Sequence, residues 1–251
     1  MVKEVTPRLE LRLDDERLVV LADVERLAPG AADPRAAAVA RELAGMLEGR
    51  RVQVRAVAPL PDRWGRVLAQ VFGPLPEDTA MAPAVPVPHL GEAIAAAGLL
   101  RVEPSGGDSG CLRLMLEAED LARSVGFGLW AQPRFAPVAA DDTEALASRD
   151  GQLTLVEGTV RRIGVGRART YVDFGGGRGG FALTVAKRQL RLLAAAGIDV
   201  MGLAGRRLRA RGVIDTRFGP QIEIFGAEQL ELLEAMVQEP LRKPVDNNRA
   251  R

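Results

Sequence analysis

The sequence has few of the residues that form disulfides or bind transition metals. It contains one cysteine, Cys111, and one histidine, His89, in 251 residues. A single cysteine excludes an intramolecular disulfide, and this pair cannot supply the usual cysteine and histidine ligands of a zinc site. Any metal would have to be a hard cation bound by carboxylates. From these residues alone we expect no metal and no cofactor.

Long apolar runs are also missing. No stretch approaches the roughly 18 apolar residues that a membrane span requires. The first five residues, Met1 to Val5, lack the apolar core of a signal peptide. The sequence as written therefore predicts a cytoplasmic protein without a membrane span. An N-terminal signal lost from the sequence would instead make the protein secreted or periplasmic.

The charges nearly cancel overall but are unevenly distributed. Lysine and arginine total 34 and the acidic residues 33, giving a formal net charge of +1. Residues 1–151 have 17 basic and 23 acidic side chains, a net of −6, whereas residues 152–251 have 17 and 10, a net of +7. This asymmetry indicates that the two halves meet different partners.

Hydrophobic periodicity predicts two β-rich domains. Residues 1–131 contain about three strands, a helix, two strands and two helices, and residues 132–151 are predicted to be a linker. Residues 152–238 contain three strands, a helix, two strands and a final helix over Ala227–Gln238, and residues 239–251 form a polar tail predicted to be disordered. Three strands, a helix and two strands is the chain order of the OB-fold, a five-stranded Greek-key barrel. The predicted fold class is therefore mainly β with helices, built from two such barrels.

Three groups of residues in the first domain resemble the later motifs of the staphylococcal nuclease-like (thermonuclease) family. They are Asp62-Arg63-Trp64-Gly65-Arg66-Val67-Leu68-Ala69, Leu90-Gly91-Glu92-Ala93-Ile94 with Gly98-Leu99, and Glu117-Ala118-Glu119 with Ala122-Arg123 and Gly126-Phe127-Gly128-Leu129-Trp130. The resemblance covers roughly Leu9 to Ala131. It implies an OB barrel with additional helices, which agrees with the predicted element order.

The family resemblance also implies calcium-dependent cleavage of DNA or RNA. Two aspartates would bind the metal, a glutamate would assist the attacking water, and two arginines would stabilise the transition state. Only the second arginine is present within its full motif, as Arg66. Ungapped alignment places Leu9 and Glu25 at the metal aspartates, Val20 at the first arginine and Ala28 at the glutamate. The fold is expected to be inherited, but most of the catalytic site is not.

Two interpretations of the remaining charged residues stay open. Asp23, Glu25 and Arg66 could form a rebuilt catalytic site that uses calcium. Alternatively, Arg66 has a structural role and forms an ion pair with a nearby carboxylate such as Asp62, as an arginine after a tight glycine turn often does. We favour the structural role.

The second domain contains a basic segment that suggests nucleic-acid binding. Residues 152–217 have 13 basic and 4 acidic side chains, a net of +9. Strand periodicity places Arg167, Arg169 and Tyr171 on one side, and it places Arg207, Arg209 and Arg211 on one side of a later strand. Arginines spaced about 6 to 7 Å apart could follow successive phosphates, and Tyr171 could stack on a base. In the alternative interpretation, the acidic residues Glu228, Glu231 and Glu234 neutralise these arginines.

The sequence therefore supports one leading hypothesis and two alternatives. In the leading hypothesis, a catalytically degenerate thermonuclease-like domain, a pseudoenzyme, precedes an OB-like domain that binds DNA or RNA without cleaving it. In the first alternative the protein is an active metal-dependent phosphodiesterase. In the second alternative both barrels serve as a scaffold for protein interactions.

Overall fold

The computed structural model describes residues 1–27, 33, 35–75, 86–105, 109–175, 177 and 179–233. These residues form helices and three β-sheets. The strands of the first half are β1 (Val2–Val5), β2 (Glu10–Leu13), β3 (Leu18–Leu21), β4 (Gln53–Ala56) and β5 (Arg66–Phe72). Its helices are α1 (Arg35–Leu47), α2 (Leu90–Ala96) and α3 (Ser109–Ser124).

The five strands of the first half form one sheet in the order β1-β2-β3-β5-β4. Neighbours are antiparallel except β3 and β5, which run parallel with Leu18 opposite Arg66. Strands β2 and β3 form a hairpin, and the turn between them places Glu16 at a φ of 65°. Parallel pairing of β3 and β5 requires the long connection that α1 and β4 supply.

The helices of the first half cover this sheet. Helix α1 buries Ala36, Val39, Leu43 and Leu47, the three- and four-residue spacing that predicts a helix with one apolar face. Gly98 and Gly128 both have positive φ, and a side chain at Gly98 would collide with the carbonyl oxygen of Phe127. These glycines thus let the end of α2 and the segment after α3 come into backbone contact.

The second half begins within the segment that was predicted to be a linker. Its elements are β6 (Val138–Ala139), α4 (Thr143–Ala147), β7 (Leu153–Thr159), β8 (Arg162–Val165), β9 (Arg169–Asp173), β10 (Ala182–Ala186), α5 (Lys187–Ala195), β11 (Arg207–Val213), β12 (Gln221–Ile224) and β13 (Leu230–Leu233). They form two four-stranded sheets, β12-β10-β9-β8 and β13-β11-β7-β6. The sheets share one core, to which Val156 and Leu208 contribute from one sheet and Val172 and Leu183 from the other.

Two expectations for the second half need correction. The segment 132–151 is not an open connection, because β6 pairs with β7 and Leu146 is completely buried. A helix over Ala227–Gln238 is wrong for its first half. There a short 3-10 turn leads into β13, which pairs with β11 and places Glu231 opposite Arg209. Alternating leucine and glutamate residues suit a strand here, because the neighbouring strand β11 places an arginine opposite the glutamate. Residues 234–238 and the predicted tail lie outside the described residues.

The two closed barrels of the sequence-based expectation are not confirmed. The architecture is a mixture of helices and sheets, and none of the sheets formed by the described residues closes into a barrel. No described helix is long and apolar enough to cross a membrane.

Candidate functional site

Arg66, which the thermonuclease resemblance places within a catalytic motif, is held by two carboxylates. It follows a turn in which Gly65 has a φ of 75°. Its Nε donates to Asp62 Oδ2 at 2.8 Å and its Nη1 to Glu10 Oε1 at 2.9 Å. Its guanidinium also lies 4.8 Å from the ring centre of Trp64. The hydrogen bond from Arg66 lowers the pKa of Asp62. Arg66 therefore makes the ion pair of the structural interpretation, and Glu10 adds a second.

Asp23 and Glu25 do not join Arg66. Arg66 lies opposite Leu18 at the start of β3, whereas both carboxylates follow the end of that strand at Leu21. The ion-pair partners of Arg66 are Asp62 and Glu10, and neither Asp23 nor Glu25 is among them in the described part of the chain. Among the described residues, no group of three or more histidines, cysteines, aspartates or glutamates is placed to bind a metal ion.

Each of these two carboxylates has its own structural partners. The buried Glu25 accepts hydrogen bonds from Arg35 Nη2 at 3.0 Å and from Arg101 Nε at 3.1 Å. Burial by itself raises the pKa of Glu25, but hydrogen bonds from Arg101 and Arg35 and their positive charges outweigh it and hold the pKa below its usual value. Asp23 Oδ1 accepts from the Ser105 amide at 2.7 Å and from its hydroxyl at 3.0 Å. Both carboxylates thus anchor loops.

The arginines of β11 are largely neutralised. Arg209 donates to Glu157 at 2.8 Å and to Glu231 at 2.6 Å. Arg211 is 3% exposed and donates to Glu119 at 2.6 Å and to Glu231 at 3.2 Å.

These ion pairs argue against the predicted role of Arg209 and Arg211 as phosphate ligands. The three arginines do share one side of β11, but that side faces carboxylates of β7, β13 and α3. Arg207 is mostly exposed at the end of the strand and pairs with Glu157 at 3.2 Å. Glu231 neutralises two of the arginines, as the alternative interpretation expected, but from a strand.

The other three predicted residues lie on or beside one open sheet face. Along β9, Thr170 and Val172 are buried, while Tyr171 is 40% exposed and Arg169 partly exposed on the opposite side. Arg169 Nη1 lies 3.2 Å from Glu223 Oε1 of β12. Arg167 belongs to the loop that joins β8 to β9, and it is exposed with no ion pair to any described residue.

Two glycines, one on the neighbouring strand β8 and one just after it, lie beside Tyr171. Gly164 on β8 lies opposite Tyr171 in the strand pairing. A Cβ added to Gly166 would lie 3.2 Å from Cε2 of the tyrosine ring. The ring therefore lies over backbone that has no side chains, with one face towards solvent. Gly166 thus leaves space for the aromatic ring.

One exposed aromatic was missed by sequence reasoning. Phe218 is 89% exposed in the loop between β11 and β12. Beside it, Arg217 forms an ion pair with Asp215, and the hydrogen bond from Arg217 lowers the pKa of Asp215 to about 2. The sequence contained a signal for this exposure. Phe218 stands between Arg217 and the turn-forming pair Gly219-Pro220, and residues at such turns are rarely buried.

Comparison with known proteins adds no functional assignment. No protein-family model matches the chain, and no curated protein matches it.

Proposed function

We propose that the protein binds single-stranded nucleic acid without cleaving it, on the outer face of the β12-β10-β9-β8 sheet. The observation that carries this proposal is the exposed ring of Tyr171, with Arg169 beside it on β9 and Arg167 in the preceding loop. Stacking of bases on aromatic rings, combined with arginines along the backbone, is the usual chemistry of single-strand binders.

The strand neighbours of the second half favour an OB-type arrangement. Strands β7 and β8 follow each other in the chain, separated by Val160 and Arg161, and can be taken as one bent first strand. Then β8 pairs with β9, β9 with β10, β10 runs parallel to β12, and β11 pairs with β7. This is the neighbour order of the five-stranded Greek-key barrel. The first sheet follows the same order with its parallel β3–β5 pair.

In OB-folds the face of strands 2 and 3 and the loops 1–2 and 4–5 bind oligonucleotides. By the correspondence above, Tyr171 lies on strand 2, Arg167 in loop 1–2 and Phe218 in loop 4–5. Two aromatic residues and an arginine with no ion pair to a described residue therefore lie at three positions where OB-folds bind a nucleic-acid strand.

We further propose that the first half is a thermonuclease-like domain that has lost its catalytic site. Leu9, Val20 and Ala28 stand where the resemblance requires charged groups. The different partners of Arg66, Asp23 and Glu25 argue against a rebuilt site. The loss of one transition-state charge donor reduces the rate about 10²-fold or more, and here several are missing together.

Fluorescence anisotropy with a labelled oligothymidine tests the binding proposal. The affinity should fall steeply with salt, and Tyr171→Ala should weaken binding by about 5- to 150-fold, since stacking on one base contributes about 1–3 kcal/mol. Leu192→Ala, an exposed apolar residue of α5, serves as the matched control and should leave the affinity unchanged.

Two results would overturn this proposal. One is the absence of salt-dependent binding in the intact protein. The other is an affinity of the Tyr171→Ala protein equal to that of the control. Either result would favour the scaffold alternative.

A further inference from the structure

A cleft of about 680 Å³ lies where the first half meets the second. Its first-half wall includes Glu25, Arg35, Arg101 and Glu103. Its second-half wall includes Arg134, Phe135 and Arg149, followed by residues 151–153. This volume lies within the range of about 300–1,000 Å³ that is typical of small-molecule sites.

The inner part of the cleft is electrically balanced. Arg35 donates to both Glu25 and Asp33, with Nη2 3.0 Å from Glu25 Oε1 and 2.7 Å from Asp33 Oδ2. Arg101 donates to Glu25 and also to the carbonyl oxygen of Leu153. Two arginines here face two carboxylates, so this part is a rigid polar floor with no surplus charge.

The remaining charged groups leave a positive surplus. Arg26, Arg134 and Arg149 line the cleft, and Glu103 is the acidic residue left to balance them, which gives a net of +2. Burial raises the pKa of Glu103. Burial and the nearby charge of Arg101 lower the pKa of Arg149. The effect of the Arg101 charge on Arg149 agrees with uncompensated positive charge on this wall, whereas the shift of Glu103 reflects its burial.

The donors of this wall are fixed in place but not used. Arg149 Nη1 donates to the carbonyl oxygen of Arg134 at 2.9 Å, which ties the two arginines together. The Arg134 guanidinium lies 4.7 Å from the ring centre of Phe135, and its Nε donates to Gln132. Neither Nη atom of Arg134, nor Nε or Nη2 of Arg149, has an acceptor among the described residues. Four nitrogens with N–H groups thus remain for a ligand.

We infer that this cleft binds a phosphate monoester through Arg134 and Arg149. A phosphate group has about −1.5 to −2 charge at neutral pH and three acceptor oxygens, which suits a surplus of +2 and four donor nitrogens better than a carboxylate does. Planar guanidinium groups favour such oxygens because their paired N–H groups match the spacing. The phosphate belongs either to a free small molecule or to the terminal phosphate of a nucleic-acid strand.

Calorimetric titration of the full-length protein at low salt, with a nucleoside monophosphate as the probe, tests this inference. Arg134→Gln and Arg149→Gln should each weaken binding by about tenfold or more, since each removes charge-assisted hydrogen bonds. Glu103→Gln should strengthen binding several-fold, because it removes the negative charge that opposes the ligand. Arg188→Gln, an exposed arginine of α5 outside the cleft, is the control and should bind as the unaltered protein does.

A folding defect would weaken binding and not strengthen it. The expected gain of affinity in the Glu103→Gln variant therefore cannot result from misfolding. The inference fails if the intact protein shows no saturable binding. It also fails if Arg149→Gln and Glu103→Gln change the affinity no more than the control does.

Comparison of a 5′-phosphorylated with an unphosphorylated oligonucleotide distinguishes the two sources. If the protein prefers the phosphorylated oligonucleotide and Arg149→Gln abolishes this preference, the cleft binds the ends of nucleic-acid strands. If the two oligonucleotides bind with equal affinity, the cleft binds free phosphate monoesters. The Tyr171→Ala variant should keep its monophosphate binding. A failure of the proposed sheet interface is therefore distinguishable from a failure of the cleft.

Discussion

Arg211 Nη1 donates a 2.6 Å hydrogen bond to Glu119 Oε2, which joins β11 of the second half to α3 of the first. Both side chains are almost completely buried. The same Nη1 atom donates to the carbonyl oxygen of Val102 at 3.1 Å, and Glu119 accepts from the Val102 amide at 3.2 Å. The two halves therefore share a buried polar network, and loss of Arg211 leaves the Glu119 carboxylate without its charged partner.

We expect Arg211→Met to destabilise the protein by about 3–5 kcal/mol, since it leaves the Glu119 carboxylate buried without its partner. Adding Glu119→Gln should recover part of this loss, because the amide oxygen can still accept from Val102 while no charge remains. Urea unfolding measures both effects. Arg191→Met, at an exposed position of α5, should stay within about 0.5 kcal/mol of the unaltered protein. If the effects of the two buried substitutions simply add, the network does not couple the two halves.

The ion pairs of Glu25 predict a specific acid sensitivity. Because the folded-state pKa of Glu25 is below its ordinary value of about 4.3, its stabilising contribution is complete above that pH. The contribution falls as the pH drops below 4.3 and through the folded-state value. Glu25→Gln should therefore lower the free energy of unfolding at pH 7 and flatten its pH dependence below 4.3. Denaturant unfolding at several pH values measures this, and parallel curves for the two proteins would contradict the assignment.

Arg167 and Arg209 should behave differently in nucleic-acid binding. Arg167 is exposed and has no ion-pair partner in the described part of the chain, so Arg167→Gln should reduce the slope of log affinity against log salt by about 0.7, the value for one phosphate contact on a single strand. Arg209 is neutralised by Glu157 and Glu231, so Arg209→Gln should lower thermal stability and leave the slope unchanged. Anisotropy titrations over a range of salt concentrations compare them. If instead Arg209→Gln reduces the slope and Arg167→Gln does not, the arginines of β11 are the phosphate ligands.

Arg66 should matter for stability and not for catalysis. We expect no cleavage of single- or double-stranded DNA or of RNA with calcium, magnesium or manganese. Arg66→Ala should destabilise the protein by about 1–3 kcal/mol, because the nearly buried carboxylate of Glu10 then loses its charged hydrogen-bond donor. Gel assays and thermal unfolding check the two parts. Metal-dependent cleavage that Arg66→Ala abolishes would favour the phosphodiesterase alternative.

Local patterns located most elements of the fold. The apolar spacing of Val39, Leu43 and Leu47 predicts α1, and strand periodicity correctly places Tyr171 and Arg169 on one side of β9. It fails for residues 230–233, because the alternation of leucine and glutamate fits a helix face as well as a strand. Pairing with Arg207 and Arg209 decides for the strand. It also fails for segment 132–151, whose prolines and acidic run conceal the buried Leu146.

The sequence by itself determined which residues share a side of each strand and where charge is concentrated. Side-chain alternation and composition are local properties, so they need no knowledge of neighbours. Tertiary structure alone decided that Arg209 and Arg211 face carboxylates while Arg167 faces solvent. The carboxylates that pair with Arg209 and Arg211 are Glu119, Glu157 and Glu231, which belong to three separate elements. The charge that an arginine meets depends on those distant elements, because ion pairs act through space and not along the chain.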